Sequence, residues 1–202
     1  NSTNMEFLTI CANSMSHCTP KAGSGFWPTS TISLTSEKTN NMKLYHGSSE
    51  IVEVPEIRIP NRTLDYGYGF YTTTSFEQAE AWVRRRMKED GTEKGFVNIY
   101  DFDIEVLNKI KSLIFNNPSE DWLDFVMANR TQVGFTHDYD IVYGPVANDR
   151  VYAAFALYEG GVLDKQSLIR ELKTYKLVDQ YLFHTSRSLG FLTFSKAEEV
   201  SL

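Results

Sequence analysis

Apolar and polar positions follow no rhythm over residues 1–41 and a clear one from Met42 onward. About half of that first stretch is Ser, Thr or Asn, broken by Pro20, Gly23, Gly25 and Pro28. Such a segment buries too little apolar surface to order itself, so a flexible extension is expected, dispensable for the fold. Residues 43–46 read as a short strand ending at Gly47-Ser48. Residues 58–61 are extended around Pro60, and Gly67-Tyr68-Gly69 is a turn. Phe70 to Thr73 has the β-branched and aromatic content of a strand. Ser75 and Gln78 then form a capping box for a helix with an apolar stripe at Phe76, Ala79, Trp82, Val83 and Met87.

Alternation over 96–104 predicts a strand, and Ser119 caps a helix carrying Trp122, Phe125 and Val126. Residues 140–143 form a strand stopped by Gly144-Pro145, helical stretches follow at 151–158 and 163–172, and 181–183 is a late strand. Leu189, Leu192 and Phe194 close the core, leaving 195–202 as a tail. Short strands mixed with short helices, without regular βαβ alternation, predict an α+β domain over 42–194.

Composition narrows the function. The 202 residues are 42% apolar, 23% charged and 13% aromatic, which suits one globular domain with a sizeable core. The longest apolar run, 151–158, is far below the ~18 residues of a spanning helix. No basic-then-apolar leader is visible, so a cytoplasmic protein without membrane association is expected. A net charge of −6 argues against a broad nucleic-acid surface. Cys11 and Cys18, even with His17, are too few for a structural zinc site and read as free thiols. No metal is expected.

Three places carry candidate chemistry. In Tyr45-His46-Gly47-Ser48 a strand-end histidine stands beside backbone groups that a planar amide can approach; the plainer reading is a core histidine at a turn. In the second, Gly67 and Gly69 let the chain pass a ligand, and Tyr71 on a strand precedes Trp82 on the next helix by eleven positions. Two such rings can hold a flat ring between them, or can simply be core. The third, Asp179-Gln180-Tyr181, opens a late strand with polar residues.

Taken together, these segments resemble the ADP-ribosyltransferase superfamily, in the branch of the poly(ADP-ribose) polymerases and diphtheria toxin. His46-Gly47-Ser48 resembles its His-Gly-Ser, and Gly67-x-Gly69-Phe70-Tyr71 its Gly-x-Gly-Ile/Phe-Tyr. Trp82 falls at its second stacking ring, and Gln180 stands where its glutamate does. Small bacterial transferase-like domains opening near Tyr-His-Gly-Ser are also similar.

The resemblance implies a split β-sandwich with flanking helices and NAD as substrate in the cleft. It implies that Gly47 main-chain groups, helped by Ser48, hold the nicotinamide carboxamide. His46 would bond a ribose hydroxyl on the adenosine side, and Gly69 would give the backbone its close passage. Tyr71 and Trp82 would sandwich the nicotinamide ring, and Gln180 would bond the ribose 2′-hydroxyl. Glutamine keeps that hydrogen bond but lacks the charge that stabilises an oxocarbenium-like transition state. Mono-ADP-ribosyl transfer to a macromolecular acceptor (protein, DNA or RNA) is therefore expected rather than polymer growth. A toxin or phage-defence role, with an antitoxin or partner protein, follows by analogy.

The alternatives are an NAD glycohydrolase, an inactive NAD-binding or interaction module, and an interaction protein without ligand. Asp179 should point away from Gln180 by strand alternation. Asp149 is a second candidate carboxylate, or an N-cap. Arg84, Arg85, Arg86 and Lys88 read as a solvated helix face, or as a phosphate or nucleic-acid contact, with Arg86 alone of the arginines on the Trp82 face. His137 and His184 lack a partner nucleophile.

Overall fold

A computed structural model describes residues 40–58, 64–146, 152–175 and 177–201. The expectations for the extension over 1–39, the thiols Cys11 and Cys18, Pro60 and Asp149 lie outside these residues. All described residues fall within one compact unit.

The architecture is α+β, with two sheets and, among the described residues, five α-helices. In the first sheet β3 (Lys94–Asp103) lies between β1 (Asn41–Ser48) and β7 (Thr193–Ser201), all antiparallel. The second has the order β2 (Phe70–Thr72), β6 (Val178–Phe183), β5 (Ile141–Val146), β4 (Ser112–Ile114), with only β4–β5 parallel. The helices are α1 (Phe76–Asp90), α2 (Glu120–Thr131), α3 (Tyr152–Glu159), α4 (Lys165–Leu172) and α5 (Ser186–Leu189).

Three apolar clusters set the layers. Leu44, Tyr100 and Phe102 from the first sheet meet Phe70, Ile141, Tyr181 and Phe183 from the second. Strand alternation sends Val142 and Leu182 to the opposite face, against Trp122, Leu123, Val126, Phe155 and Leu168 of α2–α4. Ala79, Val83 and Met87 of α1 cover Val97, Ile99 and Val200 on the outer face of the first sheet.

Several local expectations change. Ser75 does cap α1 through its Oγ, which accepts from the Gln78 N–H, but the expected capping box does not close: the Ser75 N–H donates to Thr73 Oγ1 at 3.2 Å rather than to the Gln78 side chain. Trp82 leaves the buried stripe and is 39% exposed. Gly144-Pro145 does not stop β5, for these residues pair with Gln180 and Asp179. The Pro145 carbonyl takes the Tyr66 hydroxyl and the Trp122 Nε1–H, so that residue's polar groups face away from β6 and the missing N–H costs no ladder bond. Residues 195–201, expected as a tail, continue β7 along β3, with Val200 as the buried anchor of an otherwise charged edge strand.

Candidate functional site

Among the described residues, one isolated backbone bridge joins the two sheets. Tyr45 and Thr73 exchange backbone hydrogen bonds of 2.8 and 3.0 Å. The polar groups of Tyr45 therefore point away from β3, and alternation turns those of Gly47, two residues on, the same way. Past this bridge β2 leaves β1 to pair with β6. The Gly47 N–H and C=O thus lie on the free edge of β1, taken by no described residue. One donor beside one acceptor is the complement of a carboxamide.

Gly47 must be glycine for a second reason. A Cβ there would stand 2.7 Å from the Ala79 carbonyl oxygen and 3.2 Å from Trp82 Cδ1. The helix thereby sets the Trp82 indole directly beside the free edge. Ser48 ends β1, and its Oγ accepts from the Glu50 N–H at 3.3 Å.

His46 is locked in one tautomer. Its Nδ1 lies 2.7 Å from the Tyr71 carbonyl oxygen, which only accepts, so Nδ1 carries the proton and Nε2 the lone pair. That Nε2 has no described partner, and the residue is half-buried. The ring rests on Phe70 with centroids 4.3 Å apart. Burial pushes the imidazole below its ordinary 6.5; the Tyr71 carbonyl opposes this and the Arg58 charge adds to it. The buried Asn98 side chain braces the turn beyond, donating to the carbonyls of His46 (3.4 Å) and Glu50 (3.2 Å) and accepting from the Val52 N–H (2.8 Å).

Tyr71 sits opposite Leu182 in the ladder, so Tyr71 and Gln180 share one face as diagonal neighbours. The Tyr71 hydroxyl donates to the Gly67 carbonyl at 2.5 Å. Gly67 has a φ of 83°, as its turn requires. At Gly69 a Cβ would meet the Phe183 carbonyl at 2.5 Å, so this glycine brings β2 against β6 rather than against a ligand.

Gln180 is half-buried and its side chain makes no hydrogen bond to a described residue. Its ladder partner Gly144 leaves room for the Tyr66 hydroxyl, 2.5 Å from where a Cβ would lie. Asp179 faces the other way, as alternation predicts, and its carboxylate accepts from Thr73 Oγ1 (3.1 Å), Thr74 N–H (2.9 Å) and Thr74 Oγ1 (2.5 Å).

The arginine run is an ion-paired surface: Arg84 with Glu80, Arg85 with Glu89, and Arg86 with Glu89 and Asp90. Arg85, rather than the expected Arg86, approaches the Trp82 ring, at 5.9 Å, because i+3 neighbours share a helix face as i+4 neighbours do.

Two clusters had no clear signal in the sequence. Arg130, stacked on Phe155, pairs with Asp65 at 3.1 Å, both side chains nearly buried. The rings of His137 and His184 stand perpendicular, centroids 4.4 Å apart. The His184 Nδ1–H donates to the Tyr68 carbonyl, leaving a buried, unpartnered Nε2. Burial, with the neighbouring His137, pushes His184 down to about 4. Among the described residues no three His, Cys, Asp or Glu side chains gather as a metal site would need. No described helix is long and apolar enough to cross a membrane.

Residues 42–194 match the family described as "Protein of unknown function (DUF3990)". No curated protein matches the chain.

Proposed function

The chain belongs to that family, and from its own residues we propose that it is an NAD-consuming mono-ADP-ribosyltransferase with a split β-sandwich fold. The carrying observation is the Gly47 donor–acceptor pair on a free strand edge beside the Trp82 indole. The resemblance of the three motifs to that superfamily supports the same reading.

The nicotinamide carboxamide lies along the Gly47 edge, its ring between Trp82 and Tyr71. The His46 Nε2 lone pair accepts a hydroxyl hydrogen of the adenosine ribose, and Gln180 bonds the 2′-hydroxyl of the nicotinamide ribose. The bond from ribose C1′ to the nicotinamide nitrogen breaks, and its electron pair leaves with nicotinamide. The acceptor then bonds C1′ and its proton passes to solvent. Positioning carries most of the rate, since a glutamine offers a dipole but no charge to the cationic ribose.

The uncharged Gln180 also favours a second reading, an NAD-binding module without turnover. Nicotinamide release by purified protein, with and without cell lysate as acceptor source, separates them. Release that rises with lysate and falls at least tenfold in His46→Ala supports the transferase. Equal release with and without lysate makes the protein a glycohydrolase. NAD binding without release favours the module, and neither binding nor release overturns the proposal.

A further inference from the structure

We infer that Asp179 is a positioning residue, whose clasp on Thr73 and Thr74 sets the stacking helix against the strand that carries Gln180. The inference rests on the transferase reading and goes beyond it, because that reading gives Asp179 no part.

The residues of the site ride on two bodies. Gly47, His46 and Trp82 belong to the first sheet and α1, which Gly47 and Gly95 bring into close contact. Tyr71 and Gln180 belong to the second sheet, held to one another by the β2–β6 register. Among the described residues, short connections join the bodies at this end: the Tyr45–Thr73 bridge, the His46 bond to the Tyr71 carbonyl, and the Asp179 clasp. Of these, the clasp alone ties β6 directly to the segment that starts α1.

The clasp is built from three hydrogen bonds into one carboxylate, one of them a backbone N–H and one at 2.5 Å. Charge-assisted bonds are about twice as strong as neutral ones, so a β6 residue outweighs the local alternatives open to Thr73 and Thr74. Thr73 Oγ1 also accepts from the Ser75 N–H at 3.2 Å, and Ser75 caps α1. The chain of contacts runs from Asp179 through Thr73 and Ser75 to the helix bearing Trp82. Gln180 is the next residue on the same strand, facing the other side. A single dipeptide thus offers one side chain to the substrate and uses the other to place the ring opposite.

Loosening the clasp leaves both bodies intact and their relative position soft. The Gly47 edge and Trp82 stay together, and the His46 bond to the Tyr71 carbonyl with the Tyr45–Thr73 bridge still holds the second ring beside them, so ground-state capture of nicotinamide persists. The registry of Gln180 against the bound ribose is lost, and a misplacement of about 1 Å at a reacting centre can cost roughly 10²-fold in rate. The signature is a fall in kcat with little change in KM.

The test compares Asp179→Ala, Asp179→Asn and Thr74→Val in the full chain. Nicotinamide release over a range of NAD concentrations gives kcat and KM, calorimetry gives nicotinamide affinity, and thermal melting reports folding. Asp179→Ala is expected to lower kcat at least tenfold with KM and nicotinamide affinity within about threefold. Asp179→Asn keeps an acceptor for the Thr74 N–H and a donor for its hydroxyl, and is expected to restore most of the loss. Thr74→Val removes the 2.5 Å bond and should fall between, which keeps the inference testable if the alanine variant does not fold. Wild-type kcat in Asp179→Ala, a change in KM alone, or equal losses in the alanine and asparagine variants would overturn the clasp while leaving the transferase reading intact. A wild-type protein that neither binds nicotinamide nor releases it would overturn both.

Discussion

Replacing Gly47 by alanine probes the close approach of β1 to α1 at the site. The added methyl points into α1, where it meets the Ala79 carbonyl oxygen at 2.7 Å, Val83 Cγ2 at 2.9 Å and Trp82 Cδ1 at 3.2 Å. Side-chain atoms can rotate aside, but a carbonyl oxygen inside a helix moves only with its helix. Restoring an ordinary 3.4 Å contact requires α1 to retreat by about 0.7 Å. Overpacking of this kind costs typically 1–3 kcal/mol. In a domain of this size, about 2 kcal/mol lowers Tm by roughly 4–8 °C. The methyl does not enter the free edge, so the Gly47 N–H and C=O keep their direction while the indole backs away from them. Nicotinamide affinity should therefore fall about tenfold, the ~1.4 kcal/mol of a weakened stacking contact. Gly95→Ala is the control: its methyl strikes Val83 and lies 3.2 Å from the Ser48 carbonyl oxygen and 3.3 Å from Met87 Sδ, with neither Trp82 nor the Ala79 carbonyl among its nearest atoms. It should lower Tm comparably and reduce affinity less. Calorimetry and thermal melting on the two variants decide the matter. A Gly47→Ala protein with wild-type Tm and affinity would refute the argument.

Three further outcomes are expected. His184 has a depressed pKa, so its neutral form belongs to the fold and the unfolded chain takes up the proton first. The stability it contributes is present above 6.5 and lost as pH falls toward about 4, up to roughly 3 kcal/mol, with His46 and His137 acting in the same direction. Urea midpoints at pH 7.5 and 4.5 should converge in His184→Gln, and an unchanged gap would sink the assignment. Arg130→Ala leaves the nearly buried Asp65 carboxylate unpaired and should cost about 3–5 kcal/mol in urea unfolding, whereas a loss below about 1 kcal/mol would mean that Asp65 finds water. Gln180→Glu supplies the missing charge and should raise nicotinamide release by roughly tenfold or more, judged against the 10²–10³ typical of one preorganised contact; an unchanged or lower rate would place the ribose elsewhere.

Elements specified by their neighbours in sequence were legible, and those specified across the fold were not. Ser75 and Ser119 announce α1 and α2 because an N-cap is satisfied within three residues. Alternation was enough to turn Asp179 away from Gln180, but nothing near Asp179 in the chain names Thr73 and Thr74, more than a hundred positions earlier. Pro145 reads as a strand breaker locally and is tolerated because its polar groups turn away from β6, its own carbonyl taking Tyr66 and Trp122 instead. The polar Lys196, Glu198 and Glu199 hide β7, since an edge strand needs little apolar content to hold its place. Trp82 fits the helical stripe by spacing, yet its position at the flank of that stripe brings it to the surface beside Gly47. The individual motifs were thus readable, while their convergence at the Tyr45–Thr73 bridge is a property of the two sheets together.

On the transferase reading, the proton on His46 Nδ1 has a consequence for nucleotide choice. A ring whose outward nitrogen holds only a lone pair reads hydrogen-bond donors and repels groups that are acceptors alone. A free ribose hydroxyl satisfies it, while a phosphorylated one brings negative charge against a lone pair and gains no bond. On the transferase reading, the protein would draw on the unphosphorylated dinucleotide pool of catabolism and spare the phosphorylated pool that serves biosynthesis. One carbonyl of a neighbouring strand, by fixing a tautomer, would then decide which branch of a cell's redox economy is depleted.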